Sequence, residues 1–259
     1  MIDAPLHRLS LTALPGIPLV QPGDDLADIL LRGLTAAELR LEDGDVIVVA
    51  QKIVSKAEGR SVELASVKPS PRAIELAAEV QKDPRLVELI LSESVRVVRS
   101  RPNVLIVEHK RGFVMANAGI DQSNVGPTDG VERALLLPAD PDGSAEKLRV
   151  RLDELLGAAP AVIITDSFGR AWRRGTQGIA IGAAGLPALL DLRGNPDLFG
   201  RTLQVSISGF ADEIAAAASL VQGQGNEAQP VVLVRGLSWT APANPAAELV
   251  RPAAEDMFR

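Results

Sequence analysis

The chain has 259 residues, of which 46% are apolar and 23% charged, and it carries a net charge of −6. That length suits one large domain or two interlocked smaller ones, with enough core to need no covalent staples. The lack of cysteine excludes disulfides, thiolate nucleophiles and Cys-ligated metals, and an acidic chain whose basic runs stop at pairs such as Arg173-Arg174 is a poor match for nucleic acid.

The opening stretch, MIDAPLHRLSLTALPGIPLV, has no basic n-region and is broken by three prolines, so it does not read as a signal peptide. No apolar run approaches the ~18 residues of a membrane span. A soluble, cytoplasmic protein without membrane contact is expected. Residues 24–39 show helical spacing after an acidic start. DVIVVAQKIVSK at 45–56 reads as a buried strand leading into a bend. Residues 70–95 read as two helices broken near Asp83-Pro84. VRVVRS, NVLIVEH and GFVMANA alternate between Arg-Pro and Lys-Arg-Gly turns and predict an antiparallel meander. Residues 142–156 predict a helix, AVIITDS a buried strand, GIAIGAAG and TLQVSISG further strands, ADEIAAAASLVQ a helix and PVVLVRG a last strand. There is no internal repeat. Hairpin-like and crossover connections are mixed, so the expected class is α+β, with mixed sheets and flanking helices.

Two histidines, His7 and His109, are too few for a His-dependent triad or an HExxH zinc site. His109 alternates with apolar residues and reads as a strand residue on an exposed face. No GxxxxGK[ST] loop exists, and none of the six lysines follows a glycine. GQGNEA at 223–228 has the letters of a dinucleotide fingerprint but lies between a helix and a strand, the reverse of the required order. It suits a backbone amide nest for phosphate oxygens or, equally simply, a helix C-cap and connector. ADPDGSAEKL at 139–148 lacks the later ligands of a calcium loop and reads as a turn before a helix capped by Asp142 or Ser144.

Two carboxylates stand out. Asp121 is expected to end a strand and enter a polar loop. Asp166 ends the buried strand AVIITDS, between Thr165 and Ser167. A carboxylate where an apolar strand emerges sits at the rim of a sheet, where ligands often bind. Neighbouring hydroxyls suit a hard cation such as Mg²⁺, and an Asx-turn is the plainer alternative for each. GRAWRRG at 169–175 follows with Arg170, Arg173 and Arg174, whose forks grip phosphates and carboxylates; Trp172 between them reads as packing. Lys52 and Lys56 can meet phosphates as point charges or lie solvated on the surface.

LPGIP (14–18), GDVIVVAQKIVSKAEGR (44–60), NAGIDQSNV (117–125), LLPADPDGSAEKLR (136–149), IITDSFGRAWRRG (163–175), ADEIAAAASLV (211–221) and VVLVRGL (231–237) occur in an order that resembles the coenzyme F420-0:L-glutamate ligase family. The likeness runs from about residue 7 to 257 and treats residues 1–259 as one ligase domain, a two-part α+β monomer intertwined as a homodimer. It implies a GTP-dependent ligase that adds one or more γ-linked L-glutamates to coenzyme F420-0. Two Mg²⁺ or Mn²⁺ ions serve it, with K⁺ as an accessory cation. GTP is implied at Pro15, Gly16, Ile17, Pro18, Gln51, Lys52, Lys56 and Asn124. The loop of Gln222, Gly223, Gln224, Gly225, Asn226 and Glu227 completes that site. The metals are implied at Asp121, Asp166, Ser167 and Gln224. Three positions depart from the family pattern. Gln51 stands where a hydroxyl residue is usual, Ser167 where threonine is, and Gln224 offers a neutral oxygen where an acid can occur. The ending RPAAEDMFR resembles the junction at which some homologues continue into a flavin-binding domain.

The chemistry this implies needs no protein nucleophile, in keeping with a chain of no Cys and two His. GTP would phosphorylate a carboxylate of F420-0, and the glutamate amine would displace phosphate from the acyl phosphate. Asp121, Asp166, Arg173 and Arg174 would position the groups and neutralise charge. A metal-dependent phosphohydrolase using the same carboxylates is the rival, and a non-catalytic nucleotide-binding module a third reading.

Overall fold

The apolar runs at 46–50, 161–164 and 231–234 are neighbouring strands of one sheet, and both faces of that sheet are covered. A computed structural model describes residues 7–126 and 129–257. The first six residues of the opening stretch, residues 127–128 and the last two of RPAAEDMFR lie outside the described residues. In chain order the elements are β1 (Ser10–Ala13), α1 (Leu26–Ala36), β2 (Val46–Ala50), α2 (Gln51–Ala57), β3 (Ser61–Glu63), α3 (Pro71–Val80), α4 (Pro84–Ser92), β4 (Ser94–Arg101), β5 (Val104–His109), β6 (Val114–Ala116), β7 (Arg133–Leu135), α5 (Pro141–Leu156), β8 (Ala161–Gly169), β9 (Thr176–Ala184), β10 (Leu190–Asp191), β11 (Ile207–Ser208), α6 (Phe210–Gln222) and β12 (Val231–Arg235).

The main sheet runs β1-β12-β2-β8-β9, with β2 and β8 parallel and every other pair antiparallel. Alternate residues serve opposite faces. Ile47, Val49, Val162, Ile164, Val231 and Leu233 join the core under α1, α2 and α5. Val46, Val48, Ile163, Val232 and Val234 join the core under α6. Burial on both faces is why these strands read as continuous apolar runs. A third core is built from residues 64–136, with α3 and α4 packed on the meander β4-β5-β6 and the ribbon β3-β7. The two parts interlock through β6, since Phe113 and Met115 pack into the first core, and Phe113 meets Phe168 edge-on at 5.8 Å. The class is α+β with mixed sheets, as the mixed connections predict.

Helix starts follow their local chemistry. Asp25 accepts from the amides of Ala27 and Asp28 at the head of α1. Ser70 and Asp83 cap α3 and α4, each with a proline at the first helical position and a bond to Ala73 N or Arg85 N. Four expectations are corrected. Residues 51–57 are the helix α2 and not a bend; the segment is too short to show a helical period and is held by burial of Ile53 and Val54. TLQVSISG is not one strand: it pairs over Ile207–Ser208 and bridges Pro196 at Thr202, and Val205 is 85% exposed, so its alternation faces no core. His109 is buried beside Leu105 and Val107 on one face of β5; both faces of that strand carry apolar residues, which hid its side. Neither Asp142 nor Ser144 caps α5. Instead the Asp142 carboxylate accepts from Ala183 N and Ala246 N at 2.8 Å and from Ala247 N at 3.2 Å, which ties α5 to β9 and to the C-terminal segment.

Strand β9 lies so close to its helices that glycine is required. A Cβ on Gly182 would strike the Pro141 carbonyl, and one on Gly178 would stand 2.6 Å from the Ala215 oxygen. Those neighbours are backbone and cannot swing aside. Gly182→Ala should therefore lower the urea midpoint by the equivalent of about 1–3 kcal/mol, the usual cost of overpacking. A midpoint equal to wild type would mean that α5 lifts off β9 freely.

Candidate active site

Strands β1, β2 and β8 point the same way, so their C-terminal ends emerge at one edge of the sheet, where β9 and β12 begin. Five segments meet along that edge. Pro15–Pro18 leave β1 there, with Leu14 N on Val231 O at 3.0 Å. Gln51 and Lys52 open α2 directly after β2, and Ala50 N reaches Pro230 O at 2.8 Å. The pairing of β2 with β8 stops at Thr165, and β8 runs on to Gly169 against β9 alone. Asp166 thus lies within a strand rather than at its end, at the point where one neighbouring strand has turned away. The hairpin loop 170–175 and the loop 222–230 complete the edge.

Asp121 comes from the other part of the molecule. It follows a turn at Asn117–Gly119 in which Asn117 and Ala118 both take left-handed φ values of 54°. It does not end a strand; its amide and carbonyl pair with those of Leu135 in an isolated bridge, at 3.0 and 2.8 Å. That bridge aims its carboxylate at α2. Gln51 Nε2 donates to Asp121 Oδ2 at 3.2 Å, and the Lys52 ammonium lies 3.3 Å from the same oxygen. Gln51 is buried, and its own Oε1 accepts from Ser55 Oγ at 2.9 Å. Gln51 and Ser55 therefore orient Asp121. Neither role was legible without the helix that sets them four residues apart.

Asp166 shares the face of β8 that carries Ile164 and Phe168. The residue is half-buried. Burial, and then the charge of Asp121, push its pKa up to about 7, against one bond from Ser167 N at 2.8 Å and the field of Lys52. Asp121 is also raised by burial, opposed by Lys52. Two carboxylates that feel one another's charge, with one ammonium acting on both, suit a further cation. Ser167 Oγ donates to Gln224 Oε1 at 2.9 Å, so a hydroxyl and an amide oxygen stand beside the pair. Among the described residues no three His, Asp or Glu side chains gather as a metal cluster. The donor set is instead two carboxylates with neutral oxygens, which fits Mg²⁺ or Mn²⁺ and does not fit zinc.

The glycine-rich loop is drawn into the same place. Asn124 Nδ2 donates to Gly225 O at 3.2 Å. Gly223 caps α6 with φ 74° and its amide on Ser219 O, so the C-cap reading of this loop holds. The amides at 224–227 turn inward as well: Gly225 N donates to Glu227 Oε2 at 2.7 Å. The loop thus offers amides to a negative oxygen, here the carboxylate of Glu227. Lys56 lies one turn beyond Lys52 on α2, half-buried, its pKa lowered by burial and by Lys52. No carboxylate pairs with it among the described residues.

Other sequence candidates stand apart. Pro15–Pro18 reach the edge without a side-chain bond to the carboxylates. Arg173 and Arg174 are exposed in the hairpin loop, and neither guanidinium has an acidic partner among the described residues. Arg170 instead donates to Gln177. Trp172 does not pack: it is 91% exposed. Next to Asn124 a cavity of about 300 Å³ is lined by Gln122, Asn124, Val125, Glu132 and Arg133; Glu132 and Arg133 lie outside the motifs and gave no signal in the sequence.

The raised pKa of Asp166 fixes the sign of a pH effect. Below an ordinary carboxylate pKa it is protonated folded or unfolded and costs nothing. As pH rises toward 7 the folded state must hold a proton or a disfavoured charge, so metal-free stability falls through that window. Asp166→Asn keeps the acceptor for Ser167 N and removes the charge. In chelator it should melt higher than wild type at pH 8 and equal to it at pH 4. Added Mg²⁺ should raise the melting temperature of wild type at pH 8 and leave Asp166→Asn unmoved. Equal melting of the two proteins at pH 8 would show that this carboxylate is not strained.

Comparison with known proteins gives the family. Residues 16–236 match the family model described as F420-0:Gamma-glutamyl ligase. The chain is 47% identical over 253 residues to the coenzyme F420:L-glutamate ligase of Methanothermobacter thermautotrophicus, covering 97% of this chain and 99% of that one. It is 46% identical to the protein of the same description from Archaeoglobus fulgidus, over 97% of both chains. To that from Methanopyrus kandleri it is 45% identical over 93% of both. A match of that extent shows that the chain belongs to the F420-0:gamma-glutamyl ligase family.

Proposed function

We propose that the protein is a GTP- and divalent-metal-dependent ligase that adds L-glutamate to coenzyme F420-0 through an acyl phosphate. The observation that carries the reading is the convergence of Asp121 and Asp166 beside Ser167, Gln224 and an amide-lined loop, with the unpaired ammonium of Lys56 nearby. Carboxylates that want a cation next to groups that want an anion are what a metal–nucleotide complex brings together. Family membership supplies the acceptor and the amine. Divalent cations held by Asp121, Asp166, Ser167 and the Gln224 oxygen would offset the charge of the phosphate oxygens.

The chain's own residues do the rest. Gln51 and Lys52 hold Asp121 in place. Lys56 and the loop amides at 224–227 receive phosphate oxygens, with Glu227 displaced. Asn124 joins the loop to the carboxylates, and Pro15–Pro18 border the nucleotide. Arg173 and Arg174 bind the anionic end of the acceptor. A carboxylate needs a better leaving group before an amine can replace it, and transfer of the terminal phosphoryl group supplies one. The amine then forms the amide bond and phosphate departs. The cytoplasm is the proposed location and a homodimer the proposed assembly.

The test is direct. F420-0, GTP, Mg²⁺ and L-glutamate should yield GDP, phosphate and a product heavier by glutamate, read by mass spectrometry. Phosphate release without glutamate or product would make the protein a phosphohydrolase instead. Asp121→Asn should remove turnover and leave far-UV dichroism unchanged; near-normal turnover at ordinary Mg²⁺ would end its metal role. Lys56→Met keeps the stem and removes the charge. It should weaken GTP roughly ten- to more than a hundred-fold, since a charge-assisted hydrogen bond is worth about 1.5–3 kcal/mol. Equal affinity by calorimetry would take Lys56 off the phosphates.

A further inference from the structure

Trp172 is held in a way that packing does not explain. It is one of two tryptophans in the chain. The other, Trp239, packs edge-on against Phe210 with ring centroids 6.1 Å apart. Trp172 is 91% exposed. Its backbone has φ 64°, in the left-handed region that is a genuine outlier for a bulky side chain. It sits third in a turn closed by Arg173 N on Arg170 O at 3.4 Å, a position where positive φ calls for glycine. The chain thus places a large ring where glycine would be more comfortable and then leaves that ring in water. Strain of this kind persists where a side chain is used.

The surroundings say what the ring could meet. The turn joins β8 to β9 at the sheet edge that carries the carboxylates, and Trp172 follows Asp166 by six residues. Arg173 and Arg174 beside it have no acidic partner among the described residues, whereas Arg170 below is tied to Gln177. An open indole followed by two exposed arginines without an acidic partner among the described residues matches a ligand that is flat and aromatic at one end and anionic at the other. Coenzyme F420-0 has that form, a deazaflavin ring with a phosphorylated side chain. A nucleotide shares the description, but the amide-lined loop and Lys56 lie on other segments of the edge.

Resting on the ligase reading, we propose that Trp172 is a positioning residue for the acceptor: its indole stacks on the flat ring of F420-0 and sets the acceptor carboxylate at the metal–phosphate centre. The two arginines hold the anionic side chain, and the ring fixes how far that chain reaches.

The experiment compares wild type with Trp172→Gly and Trp172→Phe in the full chain. Trp172→Gly relaxes the turn, so its melting temperature should be no lower than wild type's, while its KM for F420-0 rises roughly ten-fold or more, the size that losing a stacking partner gives. Its KM for GTP should stay near wild type. Trp172→Phe should recover most of the lost KM. Titration with F420-0 should quench tryptophan emission in wild type and hardly touch the Trp239 emission left in Trp172→Phe. An unchanged KM for F420-0 in Trp172→Gly, with wild type active, would overturn the stacking role and leave the ligase reading standing. So would a loss of self-association by Trp172→Gly in sedimentation with no change in KM, which would assign the ring to a contact between copies. A wild-type protein that adds no glutamate would overturn the reading beneath it.

Discussion

Two carboxylates that repel one another organise this molecule's working edge. Asp121 and Asp166 belong to parts of the chain built around different cores, yet burial raises the cost of ionising both, and the charge of Asp121 raises it further at Asp166. A fold does not bring buried like charges together without compensation. Here the compensation is partial. Lys52 pairs with Asp121, and Gln51, braced by Ser55, donates to the same oxygen. Among the described residues Asp166 receives one backbone amide and no ion pair, only the field of Lys52. The remaining imbalance is what the proposed metal ion would offset.

Sheet topology turns that imbalance into a site. Parallel pairing of β2 with β8 sends two strand ends to the same edge, and antiparallel β12 brings the glycine-rich loop back to it. The insertion between α2 and α5 then lays Asp121 over that edge through its bridge to Leu135. Four polar ties lock the segments: Gln51 and Lys52 to Asp121, Ser167 to Gln224, and Asn124 to Gly225. Each tie spans at least 57 residues of sequence, so the arrangement exists only once both parts have folded.

What was legible follows from the same distinction. Residues whose role is local were readable: the acidic start of 24–39 and the break near Asp83-Pro84 mark helix heads, and β2, β8 and β12 show as apolar runs. Asp166 stood out because a charged letter interrupts one such run. Roles that depend on distant partners were not readable. The resemblance puts Gln51 at the nucleotide, but its bond to Asp121 appears only once the helix is formed. His109 was put on the wrong face because both faces of β5 are apolar. Trp172 was read as packing because apolar letters usually pack; only the positive φ and the exposure, both tertiary facts, reverse that reading. Glu132 and Arg133 line a cavity that no spacing announces.

The charges at this edge also bear on the order of binding. In the ligand-free chain Lys52 neutralises Asp121, while the Glu227 carboxylate occupies amides that a phosphate could use. A metal ion arriving alone must draw Asp121 partly away from Lys52. A nucleotide arriving alone must displace Glu227 and then faces Asp121 and Asp166, which repel its phosphates. A metal–nucleotide complex meets neither obstacle in full, because its cation answers the carboxylates and its phosphates answer Lys52, Lys56 and the amides. If the proposed function holds, each component would lower the electrostatic cost of the other, and by linkage their affinities would rise together. The partial compensation at Asp166 would then favour the joint arrival of cation and anion over either alone.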